Sequence, residues 1–218
     1  MIKVCPSSNP CPEKDLIKYI HKLEDLGVEY LHCDVMDGKF VPNTCLDLEV
    51  LREARNNTNI LLDIHLMVEN VYENVEKFAR LKPNIITIHY EALKDYKEFD
   101  RVSKFLKKEQ ILMGLAIKPN TPLEIVSRLL KVVDLILIMT VEPGKSGQKL
   151  IEECIQKIQV ARDLVADSNV IIEVDGGINE DNYNKIIKAG GRFLVMGSAF
   201  YNSKDPKELL HKVDKHYK

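Results

Sequence analysis

The sequence lacks the features that mark several large classes of protein. It has no block of Lys and Arg, and its net charge is only -2, so we expect no nucleic acid partner. Its longest apolar runs have the length of strands and are too short to cross a bilayer, so we expect no membrane partner. Residues 1–6 do not show the basic-then-apolar order of a signal peptide.

Cysteine usage excludes two further classes of protein. The five cysteines form no CxxC pair, and their number is odd. We therefore expect neither a disulfide framework nor a zinc ribbon, and the reducing cytoplasm is the expected location. Cys33 lies between His32 and Asp34, so alternation along a strand predicts that it points away from them into a strand–helix interface.

Short apolar runs alternate along the chain with amphipathic stretches. The runs predict eight strands, at residues 2–5, 30–34, 60–65, 84–89, 111–117, 134–140, 170–175 and 193–196. The stretches between and after them predict helices at residues 13–26, 46–55, 71–81, 96–107, 123–131, 149–165, 181–188 and 206–216. Eight strand–helix units in 218 residues, with no linker, predict one (β/α)8 TIM barrel domain covering residues 1–218.

A doubly wound open sheet is the structural alternative, because it has the same alternation of strands and helices. Polar residues distinguish the two folds. They occur at or just after the ends of nearly all predicted strands, whereas an open sheet would concentrate its site at one switch point. This distribution favours the barrel. The residues are Ser7, Asp34, His65, His89, Lys118, Thr140, Asp175 and Ser198.

Two histidines and two aspartates end three of these strands. His32 and Asp34 share one side of a strand by period-2 alternation, while His65 and Asp175 each end another strand. A single histidine at a strand end is typically a hydrogen-bonded residue at the mouth of a barrel. Two imidazoles with two carboxylates instead suit one divalent metal ion: Zn, Fe(II), Mn or Co.

The same aspartates also suit proton transfer. If Asp34 and Asp175 approached a substrate from opposite sides, one could remove a proton from carbon and the other could return one, inverting a centre next to a carbonyl. A bound metal would stabilise the enediolate charge. Whether an aspartate that binds the metal also acts as the base stays open. Met36, Met67 and Met139 are either core residues or a water-excluding lining of this site.

Three glycine-containing turns follow the last three predicted strands. Glycine lets backbone amides approach an anion, and barrel enzymes often bind phosphate at this position. The alternative is that these are ordinary turns that need a positive φ. Ser198 could begin the short extra helix that accompanies such sites. The predicted phosphate-binding residues are Gly144, Lys145, Ser146, Gly147, Gly176, Gly177, Gly197 and Ser198.

These segments together resemble the ribulose-phosphate 3-epimerase family. The matching segments are Pro6-Ser7, residues 32–38 with 40–43, 65–68, 139–141, Pro143-Gly144 with Gly147-Gln148, 174–178 and 197–199. The resemblance implies interconversion of D-ribulose 5-phosphate and D-xylulose 5-phosphate, a phosphorylated ketose substrate and a homo-oligomer. It also implies that His32, Asp34, His65 and Asp175 bind the metal, and that Asp34 and Asp175 are the catalytic acid/base pair. The residues that it places against the substrate are Ser7, Met36, His65, Met67, Met139 and those of the three glycine turns.

Two segments depart from the pattern of the family. Lys145 and Ser146 replace Phe and Gly in the phosphate loop, and residues 8–12 replace an apolar pair and small residues beside the sugar. A 3-epimerase acting on D-allulose 6-phosphate is therefore the alternative substrate assignment. A sugar-acid decarboxylase would need a lysine near these acids, and residues 32–37 contain none. A barrel that only binds metabolites would not need acids on both faces of its ligand.

Overall fold

The strands of this chain form one curled, almost entirely parallel sheet. The computed structural model describes residues 2–215. The strands within this range are β1 Lys3–Pro6, β2 Tyr30–Asp37, β3 Thr44–Cys45, β4 Leu61–Met67, β5 Ile85–His89, β6 Leu112–Ile117, β7 Leu135–Met139, β8 Ile171–Asp175 and β9 Phe193–Met196. Their order is β1-β9-β8-β7-β6-β5-β4-β2-β3. Only β3 is antiparallel; it pairs with the end of β2, which extends beyond the predicted strand.

The sheet closes on itself between β1 and β2. Ser7 forms a parallel bridge with His32, and the backbone N–H of Ser8 donates to the carbonyl of His32 at 2.9 Å. Because β1 also pairs in parallel with β9, the eight parallel strands form a ring. The prediction of a (β/α)8 barrel is confirmed, and the open sheet is excluded.

Helices follow the strands around the barrel. They are α1 Leu16–Asp25, α2 Leu48–Asn57, α3 Val71–Ala79, α4 Tyr96–Glu109, α5 Leu123–Val126, α6 Cys154–Leu164, α7 Tyr183–Ala189, α8 Ser198–Tyr201 and α9 Pro206–Lys215. The short helix α8 confirms the helix expected to begin at Ser198. The predicted last helix extended to residue 216, which lies outside the described residues. Within residues 2–215 no helix has the length and apolar character needed to cross a membrane.

Two predicted helices exceed those in the structure by five residues or more. The segment before α6 is held against the barrel, because the backbone N–H of Ile151 donates to the carbonyl of Thr140 at 2.8 Å. The helix predicted at 123–131 is divided into α5 and a single 3-10 turn at residues 129–131. Ser127 ends α5, since both its backbone N–H and its hydroxyl bond to the carbonyl of Glu124.

Two apolar layers surround the strands. The outer layer lies between strands and helices and contains Cys33 and Val35, so the predicted orientation of Cys33 is confirmed. The inner layer fills the barrel and includes Cys5, Leu137 and Val195. The sequence alternates accordingly, and each strand that presents apolar groups to the helices presents a second set to the barrel interior. The polar residues of the site belong to this inner set.

Candidate active site

A cavity of about 510 Å³ lies at the carboxyl ends of the strands. Its lining includes both predicted catalytic aspartates, Asp34 and Asp175. The structure also brings to this cavity every residue predicted to contact substrate except His65. These residues are Ser7, Met36, Met67, Met139, Gly144, Lys145, Ser146, Gly147, Gly176, Gly177, Gly197 and Ser198. Residues that are far apart in the sequence therefore surround one space large enough for a small metabolite.

His32 and His65 lie buried beside this cavity, with rings that have no exposed surface. The parallel register of β2 and β4 pairs Asp34 with His65, which places both histidines next to one carboxylate. His65 Nδ1 lies 3.2 Å from Asp34 Oδ1 and 3.3 Å from His32 Nε2. His32 Nε2 lies 3.5 Å from the same carboxylate oxygen. Two imidazole nitrogens and a carboxylate thus converge on one point.

Asp175 completes a group of four potential metal ligands. One donor atom from each of His32, Asp34, His65 and Asp175 lies within 4.8 Å of the others. Nitrogen and oxygen donors of this kind suit Zn, Fe(II), Mn or Co better than Ca or Mg, which prefer all-oxygen sites. The residues predicted to hold a metal therefore form a set whose chemistry and spacing fit such an ion.

Ser7 orients Asp34 from the neighbouring strand. Its hydroxyl donates to Asp34 Oδ2 at 2.7 Å and accepts from the backbone N–H of Asn9 at 3.0 Å. The two oxygens of Asp34 are thereby held by different groups, one by Ser7 and the other by the histidines. Ser7 lines the cavity as predicted, and it also fixes a predicted catalytic acid.

The pKa values of the two aspartates are shifted in opposite directions. Burial would raise the pKa of Asp34, but the charge of His32 and the hydrogen bonds from His32 and His65 outweigh it and hold that pKa well below its usual range. Burial and the nearby charge of Asp34 raise the pKa of Asp175 to about 6. Among residues 2–215, no side chain donates a hydrogen bond to the carboxylate of Asp175. One carboxylate is therefore strongly ionised, while the other takes up a proton readily.

Asp63 and Glu173 form a buried acidic pair below His32. Asp63 Oδ2 lies 2.6 Å from His32 Nδ1, and Glu173 Oε1 lies 3.5 Å from the same nitrogen. Burial, and then the charge of Asp63, raise the pKa of Glu173 well above its usual range. An uncharged Glu173 is consistent with its complete burial, since an unpaired buried charge is costly.

A chain of hydrogen bonds runs from the other ring nitrogen of His65, through His89, to Glu91. His65 Nε2 lies 2.9 Å from His89 Nε2, and His89 Nδ1 lies 3.1 Å from Glu91 Oε2. Burial lowers the pKa of His89 to about 4, although its contact with Glu91 acts in the opposite direction. His89 is therefore a neutral imidazole at physiological pH.

Sequence reasoning assigned no role to Asp63, Glu173, His89 or Glu91. A signal for two of them was present: Asp63 and Glu173 each precede a predicted ligand by two positions, so alternation places them on the same inward face. His89 was identified only as a polar residue at a strand end. The contacts that give these residues a role join different strands.

The predicted phosphate-binding turns are held by side-chain amides. Gln148 Nε2 donates to the carbonyls of Glu142 and Lys145, at 2.7 and 2.8 Å. Asn43 Nδ2 donates to the carbonyl of Gly144 at 2.7 Å, which attaches the loop after β2 to the same turn. Of the five glycines in these turns, those at 144, 147, 176 and 177 have positive φ, whereas Gly197 does not.

The three predicted methionines line the cavity while being almost fully buried. Met36, Met67 and Met139 have exposed fractions of 5%, 1% and 2%. Met36 and Met67 are direct neighbours across β2 and β4, and Met139 is the neighbour of Asp175 across β7 and β8. They are core residues that also supply an apolar surface to the cavity, so the two interpretations of these residues are compatible.

The fold and the site define a (β/α)8-barrel protein with a cluster of acidic and imidazole groups at the carboxyl ends of its strands. The profile of the Ribulose-phosphate 3 epimerase family matches residues 3–201. The chain therefore belongs to the ribulose-phosphate 3-epimerase family, and it is an epimerase of carbohydrate metabolism.

Individual proteins agree with this assignment. Ribulose-phosphate 3-epimerase of Bacillus subtilis (strain 168) is 33% identical over 216 residues, which cover 98% of each chain. The protein of the same name from Helicobacter pylori (strain ATCC 700392 / 26695) is 38% identical over 208 residues, 94% of each chain. The solved structure of 3-hexulose-6-phosphate synthase from Salmonella typhimurium superposes with a TM-score of 0.70 at 16% identity, covering 98% of this chain and 97% of that one. This last likeness supports the barrel fold alone.

Proposed function

We propose that this protein is a metal-dependent epimerase that inverts C3 of D-ribulose 5-phosphate to give D-xylulose 5-phosphate. The observation that carries the proposal is a pair of carboxylates, from different strands, that line one cavity. Asp34 comes from β2 and Asp175 from β8, strands that are not neighbours in the barrel, and their oxygens lie within 4.8 Å. Two acids that enter from different strands can reach opposite faces of one carbon.

In this proposal the aspartates exchange roles with the direction of the reaction. One carboxylate removes the proton from C3, and the electron pair moves into the neighbouring carbonyl to form an enediolate. The other carboxyl group donates a proton to the opposite face of C3, which completes the inversion. In one direction Asp34 is the base and Asp175 the acid, and in the other direction Asp175 is the base and Asp34 the acid.

His32, Asp34, His65 and Asp175 would hold the metal ion. When bound, the ion polarises the carbonyl oxygen and stabilises the negative charge of the enediolate. Met36, Met67 and Met139 would exclude water from the faces of that intermediate. Ser7 would contact the sugar while it keeps Asp34 in place, and the amides of the glycine turns would bind the phosphate.

A rate comparison tests the substrate assignment. We expect D-ribulose 5-phosphate to be epimerised with a higher kcat/KM than D-allulose 6-phosphate, the alternative that the altered residues 8–12 and the Lys145–Ser146 pair leave open. Both products can be followed by ¹³C NMR of C3 and its neighbouring carbons in one protein preparation. A preference for the six-carbon substrate would move the assignment to the sister activity, and epimerisation of neither by the folded protein would contradict the proposal.

Chelation tests the metal requirement separately. We expect treatment with a chelator, followed by its removal, to abolish epimerisation because the enediolate charge then lacks its principal stabilising group. Adding back Zn²⁺, Fe²⁺, Mn²⁺ and Co²⁺ one at a time should restore the rate and rank the ions. Full activity in protein shown by elemental analysis to hold no metal would exclude the requirement.

The cytoplasmic location and the homo-oligomeric state stay predictions. The five cysteines are all free, as in proteins of a reducing compartment, and this supports the location. Val160 and Leu164 are exposed apolar residues four positions apart on α6, and therefore lie on one face of that helix. Such a face is compatible with a subunit contact.

A further inference from the structure

Each histidine of the four-residue cluster uses its two ring nitrogens for different purposes. His32 directs Nε2 toward Asp34 and His65, and its Nδ1 is bonded to Asp63. His65 directs Nδ1 toward the cluster, and its Nε2 is bonded to His89. A neutral imidazole carries one proton, and only its bare nitrogen can bind a metal. The group on the outer nitrogen therefore decides whether the inner nitrogen is available.

For His32 the outer group is a carboxylate, which can only accept. Asp63 Oδ2 at 2.6 Å holds one proton of His32 on Nδ1, so Nε2 is the nitrogen left for a metal ion, which displaces any proton there. For His65 the outer group is another imidazole, which can either donate or accept. The 2.9 Å between His65 Nε2 and His89 Nε2 leaves room for one proton, so the state of His65 depends on the state of His89.

Glu91 removes this ambiguity. Its Oε2 lies 3.1 Å from His89 Nδ1, while its Oε1 accepts from the backbone N–H of Lys118 at 2.7 Å and from the hydroxyl of Thr121. A carboxylate cannot donate, so it holds the proton of His89 on Nδ1. The bare Nε2 of His89 then accepts from His65, and the proton of His65 stays on Nε2.

We propose that Glu91 is a positioning residue that acts through His89 to keep Nδ1 of His65 free for the metal ion. This inference rests on the metal site of the proposed function. Glu91 does not contact the cluster itself, and it follows β5, whereas His65 belongs to β4. Glu91, which is held in place by the backbone N–H of Lys118, thereby fixes the tautomer of His65 through the intervening His89.

The amide variant Glu91→Gln reverses the direction of this chain of hydrogen bonds. The N–H of Lys118 and the hydroxyl of Thr121 require an acceptor, so the carbonyl oxygen of the new amide faces them and its NH₂ faces His89. His89 Nδ1 must then accept, its proton moves to Nε2, and His65 is driven to carry its proton on Nδ1. Glu91→Ala removes the constraint without imposing the opposite one.

Metal affinity is the first readout. We expect Glu91→Gln to weaken binding of Co²⁺ by about 10–100-fold, measured by chelator competition with the full-length protein, and Glu91→Ala to weaken it less. A purely structural role gives the reverse order, because Gln has the shape of Glu and Ala does not. Glu98→Gln is a matched control, because Glu98 also accepts backbone N–H groups, from Lys94 and Tyr72, but has no bond to a histidine. The Co²⁺ affinity of this variant should equal that of the unchanged protein.

The tautomers themselves are the second readout, and they need no metal. In the metal-free, ¹⁵N-histidine-labelled protein, NMR should place the proton of His89 on Nδ1 and a proton of His65 on Nε2, where Asp34 can hold a further proton on Nδ1 of His65. Glu91→Gln should move the proton of His89 to Nε2 and leave Nε2 of His65 bare. The opposite tautomers in the unchanged protein, or an amide variant that binds Co²⁺ as tightly as the unchanged protein, would overturn the inference. Failure of the unchanged protein to bind Co²⁺ would instead contradict the proposed function.

Discussion

Asp175→Asn is expected to lower the epimerisation rate of ribulose 5-phosphate by about 10²–10⁴-fold, the usual contribution of a positioned acid or base. The amide neither accepts the C3 proton nor returns one, so inversion stops on one face of the carbon. The fold should persist, because the side chain lines the cavity and no side chain of residues 2–215 donates a hydrogen bond to its carboxylate. Circular dichroism and the melting temperature check this point.

Exchange with deuterated water separates loss of one base from loss of the whole site. With Asp34 still present, the variant should exchange the C3 proton of only one of the two epimers with solvent, without converting it into the other. The unchanged enzyme should introduce deuterium at C3 of both epimers. Mass spectrometry of each sugar phosphate after incubation gives this result directly.

Metal content provides the control, because Asp175 is also a proposed ligand. The comparison is made at equal occupancy, measured by elemental analysis. Asp181→Asn, at an exposed aspartate in the loop after β8 that is not among the residues lining the cavity, removes the same charge and should leave the rate unchanged. Near-normal inversion by Asp175→Asn at full occupancy would show that the two-base assignment is wrong.

The residues of the site could be predicted because local patterns in the sequence indicate them. Strand alternation placed His32 and Asp34 on one face of one strand, and the barrel placed the ends of all strands at one rim. The structure brings His65 and Asp175 to the same point, as that argument requires. Each step depends only on the period of a strand and on the order of strands.

The hydrogen bonds around the site could not be predicted in the same way. The bond of His65 to His89 joins β4 to β5, and the contact of His32 with Asp63 joins β2 to β4. These contacts depend on rotamers and on the stagger between strands, which a single sequence does not specify. The early end of α5 has the same origin, since it depends on a bond that Ser127 makes to Glu124.

Gly177→Ala is expected to destabilise the protein by about 3 kcal/mol, through backbone strain and overpacking together. Gly177 has φ +68°, and a Cβ at this position would overlap the backbone N of Leu150 and lie 2.8 Å from its Cα. Because Leu150 is attached to the segment that Ile151 holds on the barrel, relief requires the whole segment to move. That movement would also displace the proposed phosphate turns, so KM should rise more than kcat falls.

Gly27→Ala separates these two causes. Gly27 has φ +74°, close to that of Gly177, but a Cβ there would meet no atom within 4 Å. Its cost should be the strain alone, about 1 kcal/mol, with no change in KM. Urea unfolding of both variants gives the two free energies. Equal destabilisation at the two positions would show that strain explains the whole effect and that the contact with Leu150 yields without cost. The end of the cavity proposed to bind phosphate would then be more adaptable than its packing indicates.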